Sequence, residues 1–342
     1  MVGPFIPKNK PETMKNLKIT LFAIAAMAIA TLSTQSVAAQ ADNKALAQVE
    51  AKAPAQVEAN SSAQILGSID SEALAKVEAK ADLKLMSFNL RYYKPGADGD
   101  NGWLHRKDAI VAMIREEMPD IIGLQEPHRP QVDYLKVNFQ NEYATLDAGR
   151  DATTDIVKKP AGGEHLMIMY RKSRYALLDS GFFWLSETPD KPSRGWDAMC
   201  RRVTVWGLFR DKKTGEEFYF FDTHFDHIGS NARRHEAVMM TEYMQKIAGE
   251  KATVIVCGDF NTTVDHEALA PIRGWMQDAR STAAVSDNLA SFNDWGKREL
   301  WIDHIFYRRC KILGYKTIVN DREHYGVPYL SDHNPIVGYF KL

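Results

Sequence analysis

Apolar positions between residues 83 and 340 fall into short blocks with two spacings, and the blocks alternate along the chain. LKLMSFN at 83–89 reads as a strand, RKDAIVAMIREE at 106–117 as a helix, and DIIGLQE at 120–126 as a second strand. EHLMIMYR (164–171), VTVWGLF (203–209) and EEFYFFDTH (216–224) have the same short apolar character and predict further strands. In NARRHEAVMMTEYMQKIA (231–248), Met240, Tyr243, Met244 and Ile247 recur at helical spacing, which predicts a helix with one face on a core. TVIVC (253–257) is apolar without polar alternation, the pattern of a strand covered on both faces. WIDHIFY (301–307), ILGYKTIV (312–319) and NPIVGYF (334–340) complete the set. Strands outnumber helices, so the expected fold is an α/β domain with two sheets packed together and helices outside.

Several of these strands stop in the same way. An apolar run gives way to Ser87-Phe88-Asn89, to Gln125-Glu126, to Asp222-Thr223-His224, to Asp259-Phe260-Asn261 and to Ile302-Asp303-His304, and Ser331-Asp332-His333-Asn334 precedes the last strand. Each ending alone is an ordinary cap or turn. Together they predict one cleft, because α/β folds assemble sites where strand ends converge. Carboxylates with an Asn carbonyl suit a hard, oxygen-seeking cation such as Mg²⁺ or Mn²⁺. An Asp near such an ion can orient or deprotonate water, while imidazoles donate to phosphate oxygens. The collection therefore reads as metal-assisted phosphoester hydrolysis.

Composition narrows the picture from outside. The chain has 342 residues, 45% of them hydrophobic, and a formal charge of −1. No basic excess is available for gripping long nucleic acid through many phosphates. Lys15 and Lys18, the apolar LFAIAAMAIA (21–30) and Ala39-Gln40-Ala41 form a leader with a small-residue cleavage site, with Met14 a candidate start. The expectation is export to the periplasm or medium, cleavage after Ala41, and no permanent membrane span in the mature chain. Residues 42–80, where AQVEAK, AQVEAN and AKVEAK recur, lack aromatics and read as a tether, followed by a catalytic domain over 81–342. Cys200, Cys257 and Cys310 are odd in number, allow at most one internal disulfide and show no zinc spacing.

From residue 83 onward the chain resembles the endonuclease/exonuclease/phosphatase superfamily, whose members include abasic-site endonucleases, DNase I, deadenylases, neutral sphingomyelinases and inositol-polyphosphate 5-phosphatases. MSFNLR, IIGLQE, DTHFDH, CGDFNT, IDHIF and SDHNPI carry the resemblance, in the family's order. It implies a four-layered α/β sandwich, two mixed β-sheets packed face to face and flanked by helices. It also implies Glu126 as main metal ligand with Asn89 beside metal and phosphate, Asp332 as a further ligand, and Asp259 as holder of the attacking water. His224 and Asn261 would contact the scissile phosphate, and His333, paired to Asp303, would act as acid/base or phosphate donor. Arg91 stands where abasic endonucleases carry an acidic residue, and HFDH (224–227) is more similar to the deadenylase and sphingomyelinase branches.

The less generic segments should form the substrate wall. Phe183, Trp184 and Trp196 are candidates to stack on a base or sugar, and Glu164, Arg201 and Arg202 to reach the substrate. Expected substrates are a small phosphoester, nucleic acid or a short oligonucleotide, acted on by a monomer. A phospholipid-headgroup hydrolase is the alternative, and a non-catalytic binding protein on the same scaffold a further one.

Overall fold

The structure, a computed structural model, describes residues 69–151, 163–320 and 322–342. The leader and most of the tether lie outside the described residues. The end of the tether forms helix α1 (Ser71–Glu78), capped by the Asp70 carboxylate, which accepts the Glu72 N–H at 2.9 Å. Leu74 and Val77 of α1 pack on the domain core, so this stretch is docked.

Strands β1 (Leu83–Asn89), β2 (Ile121–Gln125), β3 (Tyr143–Gly149), β4 (His165–Arg171), β10 (Val285–Ser286), β12 (Lys311–Thr317) and β13 (Ile336–Lys341) form one sheet. Its order is β10-β12-β13-β1-β2-β4-β3. The second sheet contains β5 (Tyr175–Trp184), β6 (Val203–Asp211), β7 (Glu217–His224), β8 (Thr253–Asp259), β9 (Gln277–Asp278) and β11 (Asp303–Arg308), in the order β5-β6-β7-β8-β11-β9. Both are mixed: β1 runs parallel to β2 and β7 parallel to β8, while most other neighbours are antiparallel.

Alternation along the strands makes three apolar layers. Leu83 and Leu85 meet Phe218, Phe220, Ile255 and Cys257 between the sheets. Met86 and Phe88 face outward, against Ile110 and Met113 of α2 (Trp103–Glu117) and Val132 and Leu135 of α3 (Arg129–Phe139). Val254 and Val256 face the other way, onto Met240 and Met244 of α4 (Ser230–Ala248). Layers on both faces explain why 253–257 is apolar throughout. The expected four-layered sandwich is what the chain forms.

Close approach fixes two glycines. A Cβ on Gly123 would lie 2.4 Å from Cys257 Sγ across the sheets, and one on Gly258 (φ 154°) would lie 1.9 Å from the Thr223 carbonyl oxygen. The three cysteines are free thiols, with Cys257 buried between the sheets.

Candidate active site

Strand register gathers the polar endings. In the parallel pair β7 and β8, His224 lies opposite Asp259, and in the antiparallel pair β8 and β11, Asp259 lies opposite Asp303. His224, Asp259 and Asp303 thus form a row across one end of the second sheet. In the first sheet Asn89 is opposite Gln125, which puts Glu126 next to it, and antiparallel pairing of β4 brings Glu164 to the same edge. β13 runs antiparallel to β1, with Ile336 opposite Ser87, so Asp332 and His333 arrive beside Asn89. One-residue slips would send these side chains to the wrong face.

Asp259 is the centre. Its Oδ2 accepts Asn89 Nδ2 at 3.0 Å and lies 3.5 Å from His224 Nε2 and 3.7 Å from His333 Nε2, while Oδ1 accepts the Asn261 N–H at 2.9 Å. Burial and the Asp303 carboxylate push the Asp259 carboxyl up to about 7, against the opposing pull of His333. Burial lowers the His224 imidazole well below its usual range, and Arg202 and Arg150 add to this, so it is neutral. His333 is the opposite case. Burial opposes its charge, but Asp303, whose Oδ2 is 2.8 Å from Nδ1, and then Asp259 and Asp332 hold it at about 10. Phe292 packs edge-on against the His333 ring at 4.8 Å, and Ser291 Oγ accepts the Ile302 and Asp303 N–H groups.

Glu126 accepts Asn89 Nδ2 at 3.2 Å and the Tyr92 N–H at 3.0 Å. Glu126, Arg91 and Asn261 all have left-handed backbones, φ 70°, 55° and 51°, a strained conformation for non-glycine residues that clusters at functional sites. Ligand atoms of Glu126, Glu164 and His224 lie within 4.8 Å of one another, as do those of Asp259, Asp303 and His333. Asp332 stands apart from both groups, with Oδ2 3.6 Å from Arg91 Nη1 and Oδ1 accepting Ser331 Oγ at 3.1 Å.

This donor set fits a hard cation. Burial raises the carboxyl pKa of Asp332, and Glu126 contributes, as expected of carboxylates crowded together. Asp303 Oδ1 is buried without a hydrogen-bond partner. Of the two expected carboxylate ligands, Glu126 belongs to one of those two groups and Asp332 to neither. Asn89 lies among the expected ligands: its amide nitrogen donates to both Glu126 and Asp259, and its oxygen takes the Arg91 N–H at 3.0 Å. Asn89 therefore ties the two carboxylates together and orients them.

The expected substrate wall changes more. Trp184 is 1% exposed in the inter-sheet core, with Nε1 donating to the Arg150 carbonyl at 2.8 Å, so its ring cannot stack on a substrate. It belongs to a strand whose inward positions face the opposite sheet. Phe183 stacks on Tyr243, and Trp196 on His235. Arg202, at 4% exposure, is buried too: Nη1 lies 3.6 Å from Glu164, Nε 3.7 Å from Asp226, and Nη2 3.0 Å from His227 Nδ1. It orders the wall and does not present a free fork. Glu164 remains at the site, held at 2.5 Å by Arg150, its carboxyl pushed up to about 7 by burial and by Glu126.

Sequence reading missed several supports. Arg106 of α2, 1% exposed, donates to the carbonyls of Asn101, Leu90 and Leu330, fastening the segments that carry Arg91 and Asp332. Gln131 of α3 accepts the Tyr93 N–H and donates to the Arg91 carbonyl. Only Arg106, a charge inside an otherwise apolar helical stripe, left a trace in the pattern.

Two imidazoles facing one buried carboxylate, beside acidic groups that could hold a cation, suit phosphoester hydrolysis. The chain belongs to the endonuclease/exonuclease/phosphatase family, whose profile matches residues 86–333. A family member from Bacteroides vulgatus is 35% identical, with TM-score 0.70, over 76% of this chain and 98% of that one. The mannosyl-6-phosphatase of Bacteroides thetaiotaomicron is 33% identical, with TM-score 0.67, over 76% of this chain and 100% of that one. An uncharacterised protein of Acanthamoeba polyphaga mimivirus is 26% identical over 70% of this chain and 92% of its own length.

Proposed function

We propose that this protein is an exported, Mg²⁺- or Mn²⁺-dependent hydrolase of small phosphate esters, sugar phosphates foremost. The observation that carries the chemistry is Asp259 Oδ2, approached by Asn89, His224 and His333 at 3.0, 3.5 and 3.7 Å. Held by Asn89, this carboxylate would hold the attacking water beside a phosphate contacted by the two imidazoles. With a pKa of about 7 it can take the water's proton as oxygen attacks phosphorus. The P–O bond to the alcohol breaks, and the departing alkoxide is protonated from water. His333, cationic, and His224, neutral, donate to the non-bridging oxygens, with Asp303 fixing the His333 ring. Glu126 and Asp332 would hold the cation, which neutralises charge on the phosphoryl group when bound.

Substrate size is argued from charge and kinship. A total of −1 disfavours long nucleic acid, and the relative at 33% identity is a mannosyl-6-phosphatase. Export rests on the leader read over residues 1–41, with Met14 a candidate start. No helix among the described residues is long and apolar enough to cross a membrane.

The test is hydrolysis of mannose 6-phosphate, bis-p-nitrophenyl phosphate, oligonucleotides and sphingomyelin with Mg²⁺, Mn²⁺ or EDTA. Metal-dependent turnover should fall by about 10²–10⁴-fold in Asp259→Ala, the range for loss of a general base. It should also collapse in Glu126→Ala while circular dichroism stays native. Full activity of both variants would overturn the assignment of the site.

A further inference from the structure

A second hollow, of about 550 Å³, is lined by Arg150, Asp151, Arg194, Met199, Cys200 and Arg201. It shares a wall with the catalytic site. Arg150 pairs at 2.5 Å with Glu164, whose carboxylate groups with Glu126 and His224, and the Cys200 N–H donates to Asp226, which faces Arg202. Neither the hydrolytic chemistry nor the family resemblance assigns it a role.

Its lining is chemically one-sided, with three guanidiniums facing one carboxylate. Arg201 and Asp151 pair at 2.9 Å with side chains 47% and 39% exposed, an interaction that water screens and that a stronger anion can displace. Arg194 is exposed and has no ion-pair partner among the described residues. Arginine forks match planar oxyanions bidentately. No aromatic ring among the described residues lines the hollow, which disfavours a stacked nucleobase, and the volume suits a small polar ligand.

We propose that this hollow binds an oxyanion carried by the alcohol half of the phosphoester, such as a second phosphate or a carboxylate, through Arg194 and Arg201. The proposal rests on the phosphoester-hydrolase reading and names its substrate class: a doubly anionic small molecule, with one phosphate at Asp259 and a second anion in the hollow. Arg194 and Arg201 act in specificity and not in the chemical step.

The experiment has a binding and a kinetic arm, both with the full chain. Calorimetry in EDTA compares mannose 6-phosphate, mannose 1,6-bisphosphate and glucuronic acid 1-phosphate on wild type, Arg194→Ala, Arg194→Lys and Arg201→Ala. The doubly anionic ligands should bind wild type about tenfold more tightly than mannose 6-phosphate, the worth of one charge-assisted contact. Arg194→Ala should erase that difference without changing mannose 6-phosphate binding, and Arg194→Lys should restore part of it. Steady-state rates with metal should show KM for the doubly anionic substrates rising by the same factor in Arg194→Ala at unchanged kcat. A preference for the bisphosphate but not the uronate would identify the anion as phosphate. Equal affinity of wild type for all three ligands, or equal weakening of all three in Arg194→Ala, would overturn the proposal. Arg194-dependent binding without turnover of any phosphoester would uphold the hollow and sink the hydrolase reading instead.

Discussion

Arg106 shows how much of the site depends on a side chain that touches no substrate. Its guanidinium closes three backbone carbonyls from separate segments and lies 5.2 Å from the Trp295 ring. Arg106→Ala would leave those buried acceptors unsatisfied, and we expect a loss of about 3–5 kcal/mol in urea unfolding, in the range for breaking a buried charged network. Glu236 of α4 is a second buried group with a measurable signature. Burial pushes its carboxyl up to about 8, one oxygen accepts the Asp226 N–H, and the other has no partner. The folded state binds this proton more tightly than the unfolded chain, so stability is fully present below the ordinary carboxyl range and declines as pH rises toward 8. The slope from this group is at most about 1.4 kcal/mol per pH unit. Glu236→Gln should flatten the thermal stability profile between pH 5 and 8, and an unchanged slope would remove Glu236 as its cause. At this scale the sequence was legible where chemistry coincided with a strand end, as at Asn89, Glu126, His224, Asp259 and His333. It was silent on Arg150 and Arg194, which lie in loops whose course no periodicity dictates, and it misplaced Trp184, because an aromatic ring reads alike on a core and on a binding face.

Among the elements, those with strong apolar blocks were found nearly to the residue: β1 runs Leu83–Asn89, and α4 runs Ser230–Ala248. Three escaped. α3 is short and spends Gln131 on the neighbouring loop, β3 is an edge strand with half-buried middle positions, and β5 carries a register shift between Leu177 and Asp179 that breaks the two-residue alternation. Tight pairing has its own consequence in β8. Gly258→Ala would drive a methyl into the Thr223 carbonyl oxygen between parallel strands, and we expect either insoluble protein or a lowered Tm with His224 and Asp259 out of register. The docked α1 should behave more gently: Leu74→Ala, a half-buried residue on the outer layer, should cost about 1 kcal/mol and leave kcat unchanged. Loss of activity in that variant would mean that α1 communicates with the site.

For the whole molecule, acidic groups converging on one end of the sandwich predict that a cation and folding are linked. Millimolar Mg²⁺ should raise Tm, EDTA should reverse the rise, and Glu126→Ala should abolish the response, since a ligand that binds only the folded state stabilises it by mass action. A Tm indifferent to metal would show that Glu126 and its neighbours hold no ion. The order of strands has a further effect. β13, the last strand, lies inside the first sheet between β12 and β1, and Asp332 and His333 immediately precede it, while Ser331 Oγ reaches the Asn89 carbonyl from 242 positions away. Contacts so distant in sequence form late. The first sheet is therefore neither closed nor supplied with its full set of polar groups until β13 is in place between its neighbours. The fold thus ties the assembly of the site to closure of the first sheet.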